Sequence, residues 1–125
     1  MNVKVKIWIE DDMENLIFGG GKTEVLEYID QTGSILEASK KVGMNYKKAW
    51  KHIKILQDYI SDELVIANKG RIVGGTTLTP KARELIEKYK ILNKEINEFS
   101  KKRFEELFIE NGKAILNERP ISDEI

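Results

Sequence analysis

The stretch that decides the fold is GMNYKKAWKHIK, residues 43–54. It opens on a glycine and offers Asn45 as a helix cap. It then places four lysines and two aromatic residues within nine positions. Helices ordinarily carry acidic residues in their first turn, where the macrodipole is positive. Lys47 and Lys48 oppose that dipole at a cost of ~0.3–1 kcal/mol each. Local choices that conflict with stability mark functional sites. The free N–H groups of a helix N-terminus already attract anions, so lysines placed there strengthen an anion site, and phosphate is the anion it suits.

On a wheel of roughly 100° per residue, the helix expected over 45–60 divides into two sides. Ala49, Ile53, Leu56 and Ile60 share one, with Tyr46 and Trp50 at its edge. Lys47, Lys48, Lys51 and Lys54 share the other. Ile55 falls among the lysines, where an apolar residue suits contact with a partner subunit. Working backwards, Ser34 and Glu37 read as an S-x-x-E capping box that opens a short helix over 34–42. Gly33 and Gly43 stand where left-handed caps are wanted. Small Ala38 and Ser39 let the two helices approach, with Val42 and Met44 between them. This is helix-turn-helix spacing.

The flanks complete the pattern. VKVKIWI (3–9) alternates and is expected to be a strand with Val3, Val5, Ile7 and Ile9 on one face. An acidic stretch ending in three glycines follows as a turn or hairpin, then a helix over about 22–32. Beyond the 45–60 helix, LVIA (64–67) and TTLT (76–79) read as two pairing strands. Between them NKGRIVGG (68–75) forms a wing carrying Lys69 and Arg71, with glycines that allow positive φ and close approach. Thr79-Pro80 is a helix start. The expected class is mainly α with a small β component: a winged helix-turn-helix over 1–79, a long dimerisation helix over 80–111, and a C-terminal tail over 112–125.

Composition sets bounds. The chain has 125 residues, 41% hydrophobic and 34% charged, enough for one domain with a core. It has no cysteine and one histidine, His52, which argues against a disulfide framework or a zinc enzyme. No apolar run approaches ~18 residues and no signal-peptide block is present, so a cytoplasmic protein with no membrane partner is expected. Net charge is zero but unevenly spread. Residues 1–37 balance to −5, residues 38–83 to +7 and residues 84–125 to −2. A cationic middle third steers partners more than net charge does.

YIDQTGSILEASKKVGMNYKKAWKHIKIL, followed by LVIANKGRIVGGTTLTPKARELIEKY, resembles the N-terminal DNA-binding domain of molybdate-responsive (ModE-type) transcription regulators. It is more distantly similar to the winged helices of LysR-type regulators. The likeness rests on GSI before the second helix, Y-K-x-A-W in the third, LV in the first wing strand, the glycine-containing wing and LT before the long helix. It implies a dimeric regulator of double-stranded DNA with no attached sensor, and no cofactor is expected. That family senses its oxyanion in a separate C-terminal domain. Residues 113–125 are too few to form one, so no oxyanion is expected as a partner.

The candidate DNA contacts are Ser34, Asn45, Tyr46, Lys47, Lys48, Lys51, His52 and Lys54, with Lys69 and Arg71 in the wing. The N-terminal part of such a helix meets base edges in the major groove, where lysine reads guanine and asparagine reads adenine. Wing residues reach flanking phosphates or the minor groove. Trp50 either packs at the core's edge or stacks on a base. In the long helix, Ala82, Leu85, Tyr89, Leu92, Ile96 and Phe99 recur at steps of 3 and 4, a heptad seam. Leu85, Tyr89, Leu92, Ile96 and Phe99 are the candidate dimer interface. GGGKT (19–23) lacks the first glycine of a phosphate-binding loop, whose place holds Leu16. No nucleophile–base pair or carboxylate dyad appears, and no enzyme is read. The rival reading is a winged helix used for protein assembly without DNA.

Overall fold

The structure, a computed structural model, describes residues 1–68 and 75–117. In chain order the elements are β1 (Trp8–Glu10), β2 (Leu16–Gly19), α1 (Gly20–Thr32), α2 (Ile35–Val42), α3 (Tyr46–Ile60), β3 (Val65–Asn68), β4 (Gly75–Leu78), α4 (Pro80–Phe108), β5 (Ile109–Glu110) and β6 (Lys113–Ala114). The strands form three separate antiparallel pairs, β1–β2, β3–β4 and β5–β6. The chain divides into two units, Ile7–Ile91, and Met1–Lys6 with the chain from Leu92 on.

The Ile7–Ile91 unit is a winged helix-turn-helix. The sequence terminates α1 and α2 where the structure does. Gly33 and Gly43 adopt φ of 69° and 73°, conformations that cost a side-chain-bearing residue about 1–2 kcal/mol. The Gly43 corner is closed by Gly43 N–H donating to Lys40 O and Met44 N–H donating to Ser39 O. At α4 the Thr79 hydroxyl accepts from Ala82 N–H at 3.2 Å and donates to Glu63 O at 2.8 Å. One residue thereby caps the long helix and ties it to the chain entering β3. The core is contributed by every helix: Val25, Leu26 and Ile29 of α1, Ile35 and Ala38 of α2, Ala49, Ile53 and Leu56 of α3, and Ala82 and Ile86 of α4, closed by Phe18, Leu64, Val65 and Leu78.

The wing's strands are fixed to the helices by an unusual closeness. Thr76 N–H donates to Gly33 O at 2.8 Å. The neighbouring Gly75 (φ 120°) lies so near that a Cβ there would stand 2.4 Å from the same oxygen. Gly75 therefore meets the expectation of close approach and positive φ. Gly70, Gly74, Lys69 and Arg71 lie outside the described residues.

Several expectations are corrected. The strand expected over 3–9 is paired only at Trp8–Glu10, because its partner β2 is four residues long and the ladder ends where Trp8 faces Gly19. Val3, Val5 and Ile7 keep their half-buried alternation without a partner strand, while Ile9 is exposed. Of the two readings of the acidic, glycine-ended stretch the hairpin is the one found, as β1–β2, while its glycines lead into the helix: Gly19 caps α1, and Gly20 and Gly21 are its first residues. The capping box is half formed. Ser34 Oγ accepts from Glu37 N–H, but Ser34 N–H donates to Thr32 Oγ1 and the Glu37 carboxylate pairs with Lys40. Finally, Gly112 does not simply end α4. Asn111 (φ 51°) and Gly112 (φ 77°) form the two-residue turn of the β5–β6 hairpin, the geometry that favours Asn-Gly. Residues 113–114, expected in a loose tail, are therefore a strand.

Gly33 and Gly75 give a paired test. Gly33→Ala has open space around it and is expected to cost about 1 kcal/mol through its backbone alone. Gly75→Ala meets the Gly33 carbonyl as well and is expected to cost about 3 kcal/mol or more. Urea unfolding of both variants measures the difference. Equal losses would mean that β4 does not press on the α1–α2 corner.

Candidate nucleic-acid interface

α3 is held from one side and open on the other. Ala49, Ile53 and Leu56 are at most 2% exposed, and Lys47, Lys48, Lys51 and Lys54 are all exposed. Its entry is set by Asn45, whose Oδ1 accepts from Lys48 N–H at 2.8 Å. One lone pair of that oxygen is thus engaged by the cap, and the Asn45 side chain is oriented by it, with its amide N–H donors still to offer. The first turn contains no acidic residue.

Two open grooves flank the lysine ridge. One, of about 550 Å³, is lined by Tyr46, Lys47, Trp50, Lys51, Lys54, Ile55 and Asp58. The other, of about 520 Å³, is lined by Leu16, Lys47, Lys48, Lys51, His52 and Ile55. Six of the candidate residues named from sequence, Tyr46, Lys47, Lys48, Lys51, His52 and Lys54, therefore share one continuous surface. Ile55 is half-buried and lines both grooves, beside Leu16 of β2 on one side, which gives this residue an intrachain setting. Ser34 is half-buried at the start of α2 with its hydroxyl engaged as a cap.

The α3 lysines differ from most cations on the other helices. There Lys40 sits beside Glu37, Arg83 beside Asp30, Lys81 and Lys88 beside Glu84, Lys90 beside Glu27, and Arg103 beside Glu106. Among the described residues, no ion pair engages Lys47, Lys48, Lys51 or Lys54. Lys54 instead stands over the Trp50 ring, 5.6 Å from its centroid. Trp50 is half-buried against the core, so the edge-packing alternative describes it, and its Nε1–H donates to Tyr46 Oη at 2.7 Å.

The β1–β2 hairpin beside α3 was not recognised from sequence as part of this surface. Leu16 reaches it from β2, and the acidic turn is tied to the far end of α3 by Tyr59 Oη–H donating to Asp11 Oδ2 at 2.9 Å. The Asp11 carboxylate also accepts from Asn15 and Met13 N–H groups, and these bonds, those from Asn15 foremost, hold its pKa below the usual 3.8. The bond to Asp11 likewise raises the Tyr59 hydroxyl above 10.0. The turn is a closed hydrogen-bonded structure, and no metal-binding group of carboxylates or imidazole is found among the described residues. No described helix is long and apolar enough to cross a membrane.

In α4, Leu85 and Tyr89 are partly buried against their own core, with Tyr89 edge-on to Phe18 at 5.1 Å and donating to Ile7 O. Leu92, Ile96 and Phe99 are 39%, 39% and 62% exposed. The open part of the candidate seam is this second group.

No family model matches the chain. It is 35% identical over 72 residues to the molybdenum-pterin-binding protein MopB of Rhodobacter capsulatus, covering 57% of this chain and 27% of that protein. It is 34% identical over 74 residues to the transcriptional regulator ModE of Haemophilus influenzae, covering 58% and 29%. It is 36% identical over 72 residues to the molybdenum transport protein ModE of Azotobacter vinelandii, covering 57% and 27%. The likeness to ModE-type proteins read from the residues is thus found again by comparison, and none of these names is an enzyme's. The chain spans little more than a quarter of the length of these curated relatives. Among solved structures, it is similar to DarR of Vibrio fischeri, an LTTR family member in complex with DNA, at a TM-score of 0.45 and 17% identity, covering 83% of this chain and 44% of that one.

The Asp11–Tyr59 link predicts a pH signature. Asp11 has a depressed folded-state pKa, so its contribution is present above 3.8 and is lost as pH falls through the lower folded value. Tyr59 has a raised one, so its contribution is present below 10.0 and is lost as pH rises through the higher folded value. The melting-temperature difference between native protein and Asp11→Asn should therefore be largest at mid-range pH and shrink towards both extremes. A difference that stays constant with pH would show that the variant removes something other than this bond.

Proposed function

We propose that the chain is a transcription regulator that binds double-stranded DNA as a homodimer. The N-terminal half of α3 enters the major groove, and the wing over 68–75 lies on the flanking backbone or minor groove. The observation that carries this reading is the α3 ridge: Lys47, Lys48, Lys51 and Lys54 are exposed together, where the helix dipole is positive for the first two, and no carboxylate among the described residues pairs with them. A solvated face of a stable helix is normally laced with pairs of opposite sign, as α4 is with Lys81–Glu84 and Lys88–Glu84. A surface that lacks such partners is matched to an external polyanion, and a duplex supplies phosphates along both edges of the groove.

Lys47, Lys48 and Lys51 meet the groove edge and guanine acceptors, and Lys54 meets the backbone. Asn45, with its oxygen engaged as a cap, contributes donors. Ser34 at the start of α2 and His52 in the second groove flank the contact, and Lys69 and Arg71 hold the wing against phosphate. Residues 1–79 are the DNA-binding domain and 80–111 the dimerisation element. The sequence relatives support the reading, since ModE of Haemophilus influenzae is a transcriptional regulator.

The open seam supports the dimer. Leu92, Ile96 and Phe99 are spaced 4 and 3 residues apart on α4 and remain exposed. Such a row of large apolar groups is normally covered. Two-fold pairing through them presents two α3 helices to half-sites about 34 Å apart.

Two outcomes test this. Binding to duplex DNA should weaken steeply with salt, by about −0.9 in log affinity per log salt for each phosphate neutralised. The Lys47→Ala/Lys48→Ala/Lys51→Ala variant should lose binding and keep its sedimentation behaviour. Normal binding by that variant would remove α3 from the interface, and absence of binding by native protein at low salt would hand the fold to the assembly reading. Separately, Ile96→Asp/Phe99→Asp should sediment as a monomer with an unchanged melting profile in the Ile7–Ile91 unit. A variant that remains dimeric would place the interface elsewhere.

A further inference from the structure

The aromatic side of the α3 ridge holds a chain of three groups whose directions are fixed by chemistry. Lys54 Nζ lies 5.6 Å from the centroid of the Trp50 ring. Trp50 Nε1–H, which can only donate, points at Tyr46 Oη at 2.7 Å. The Tyr46 oxygen is therefore the acceptor in that bond, and its own proton points elsewhere. Tyr46 is 44% exposed, and it lines the groove shared with Lys47, Lys51 and Lys54.

We propose that Lys54, Trp50 and Tyr46 form a polarised relay that presents the Tyr46 hydroxyl as a donor to a non-bridging phosphodiester oxygen of the bound duplex, with Trp50 the residue that positions it. The proposal rests on the DNA-binding reading above and assigns one contact within it. A cation over an indole draws electron density from the ring and sharpens its N–H as a donor. A phenol that accepts a hydrogen bond becomes a stronger donor in turn, because hydrogen bonds in a chain polarise one another. Both effects run the same way, from Lys54 towards the outward proton of Tyr46.

A donor so arranged needs an acceptor, and the groove decides which kind. Lys47, Lys51 and Lys54, set against the one carboxylate of Asp58, give it a net positive charge that favours an anionic oxygen over the neutral acceptors of a base edge. The rigid part of the relay is Trp50. It is packed against the core, so its N–H direction is set by the fold, and Tyr46 inherits that direction. Lysines reach phosphate through flexible stems, whereas this hydroxyl is held in place before the duplex arrives. The relay therefore contributes register, and the lysines contribute attraction.

The test compares native protein, Tyr46→Phe, Trp50→Phe and the double variant on two unrelated duplexes of about 30 base pairs, across a range of salt. Tyr46→Phe is expected to weaken binding roughly tenfold on both sequences, the scale of a hydrogen bond to a charged group. Trp50→Phe keeps an apolar ring against the core and is expected to weaken it to a similar extent. The double variant should be no worse than Tyr46→Phe, because both single changes break one chain of bonds. The slope of log affinity against log salt should stay at the native value in all three, since none removes a charge, whereas Lys47→Ala should lower it by about 0.9. The indole N–H resonance of Trp50 should shift when duplex is added to native protein and stay in place when it is added to Tyr46→Phe. Tyr46→Phe binding as tightly as native protein, loss on only one of the two duplexes, or additive losses in the double variant would each overturn the relay while leaving the lysine reading intact. Failure of native protein to bind either duplex at low salt would overturn both.

Discussion

The structure depends on two helices being allowed to come close. Ala38, Ser39 and Ala49 are essentially without exposed surface, and their small side chains let the helical elements approach at the Gly43 corner, with Val42 and Met44 packed beside them. That approach buries one side of α3 against α1 and α2 and forces the other side outward. The helix cannot roll to hide Lys47 and Lys51 without exposing Ile53 and Leu56, which would forfeit about 1.5–3 kcal/mol for each side chain. The placement of the cations is thus a consequence of core packing, and the Asn45 cap fixes where along the helix they begin.

Around this centre the remaining contacts act as braces. The wing is pinned by Gly75 and Thr76 against Gly33, the start of α4 by Thr79 against Glu63, and the N-terminal hairpin by Asp11 against Tyr59. Each brace joins elements distant in sequence, and each sits outside the hydrophobic core. Together they set what flanks the lysine ridge, with Leu16 on one side and the Tyr46–Trp50 pair on the other.

The helix-turn-helix was legible because its signals are local. A capping serine, two glycines at left-handed positions, small residues at the crossing and a divided helical wheel all point to one geometry. What was not legible depended on partners or competed with another reading. β1 is short because β2 is short, which no property of residues 3–9 reveals. Ser34 N–H has a nearer acceptor in Thr32, so the S-x-x-E pattern completes only one of its two bonds. Asn111-Gly112 is a hairpin signal, but it follows directly on a long helix, where a glycine also reads as a stop. The Asp11–Tyr59 bond spans 48 residues and has no sequence signature. The Tyr46–Trp50 bond was within reach, since residues four apart on a helix are neighbours.

The central claim is that the outward side of α3 is the surface a duplex covers. Amine-directed acylation of the native protein, with and without double-stranded DNA at low salt, measures this residue by residue. Lys47, Lys48, Lys51 and Lys54 should be protected by the duplex, while Lys81, Lys88 and Lys102 on α4 react as before. Equal labelling of the α3 lysines in both conditions, or protection confined to α4, would contradict the account.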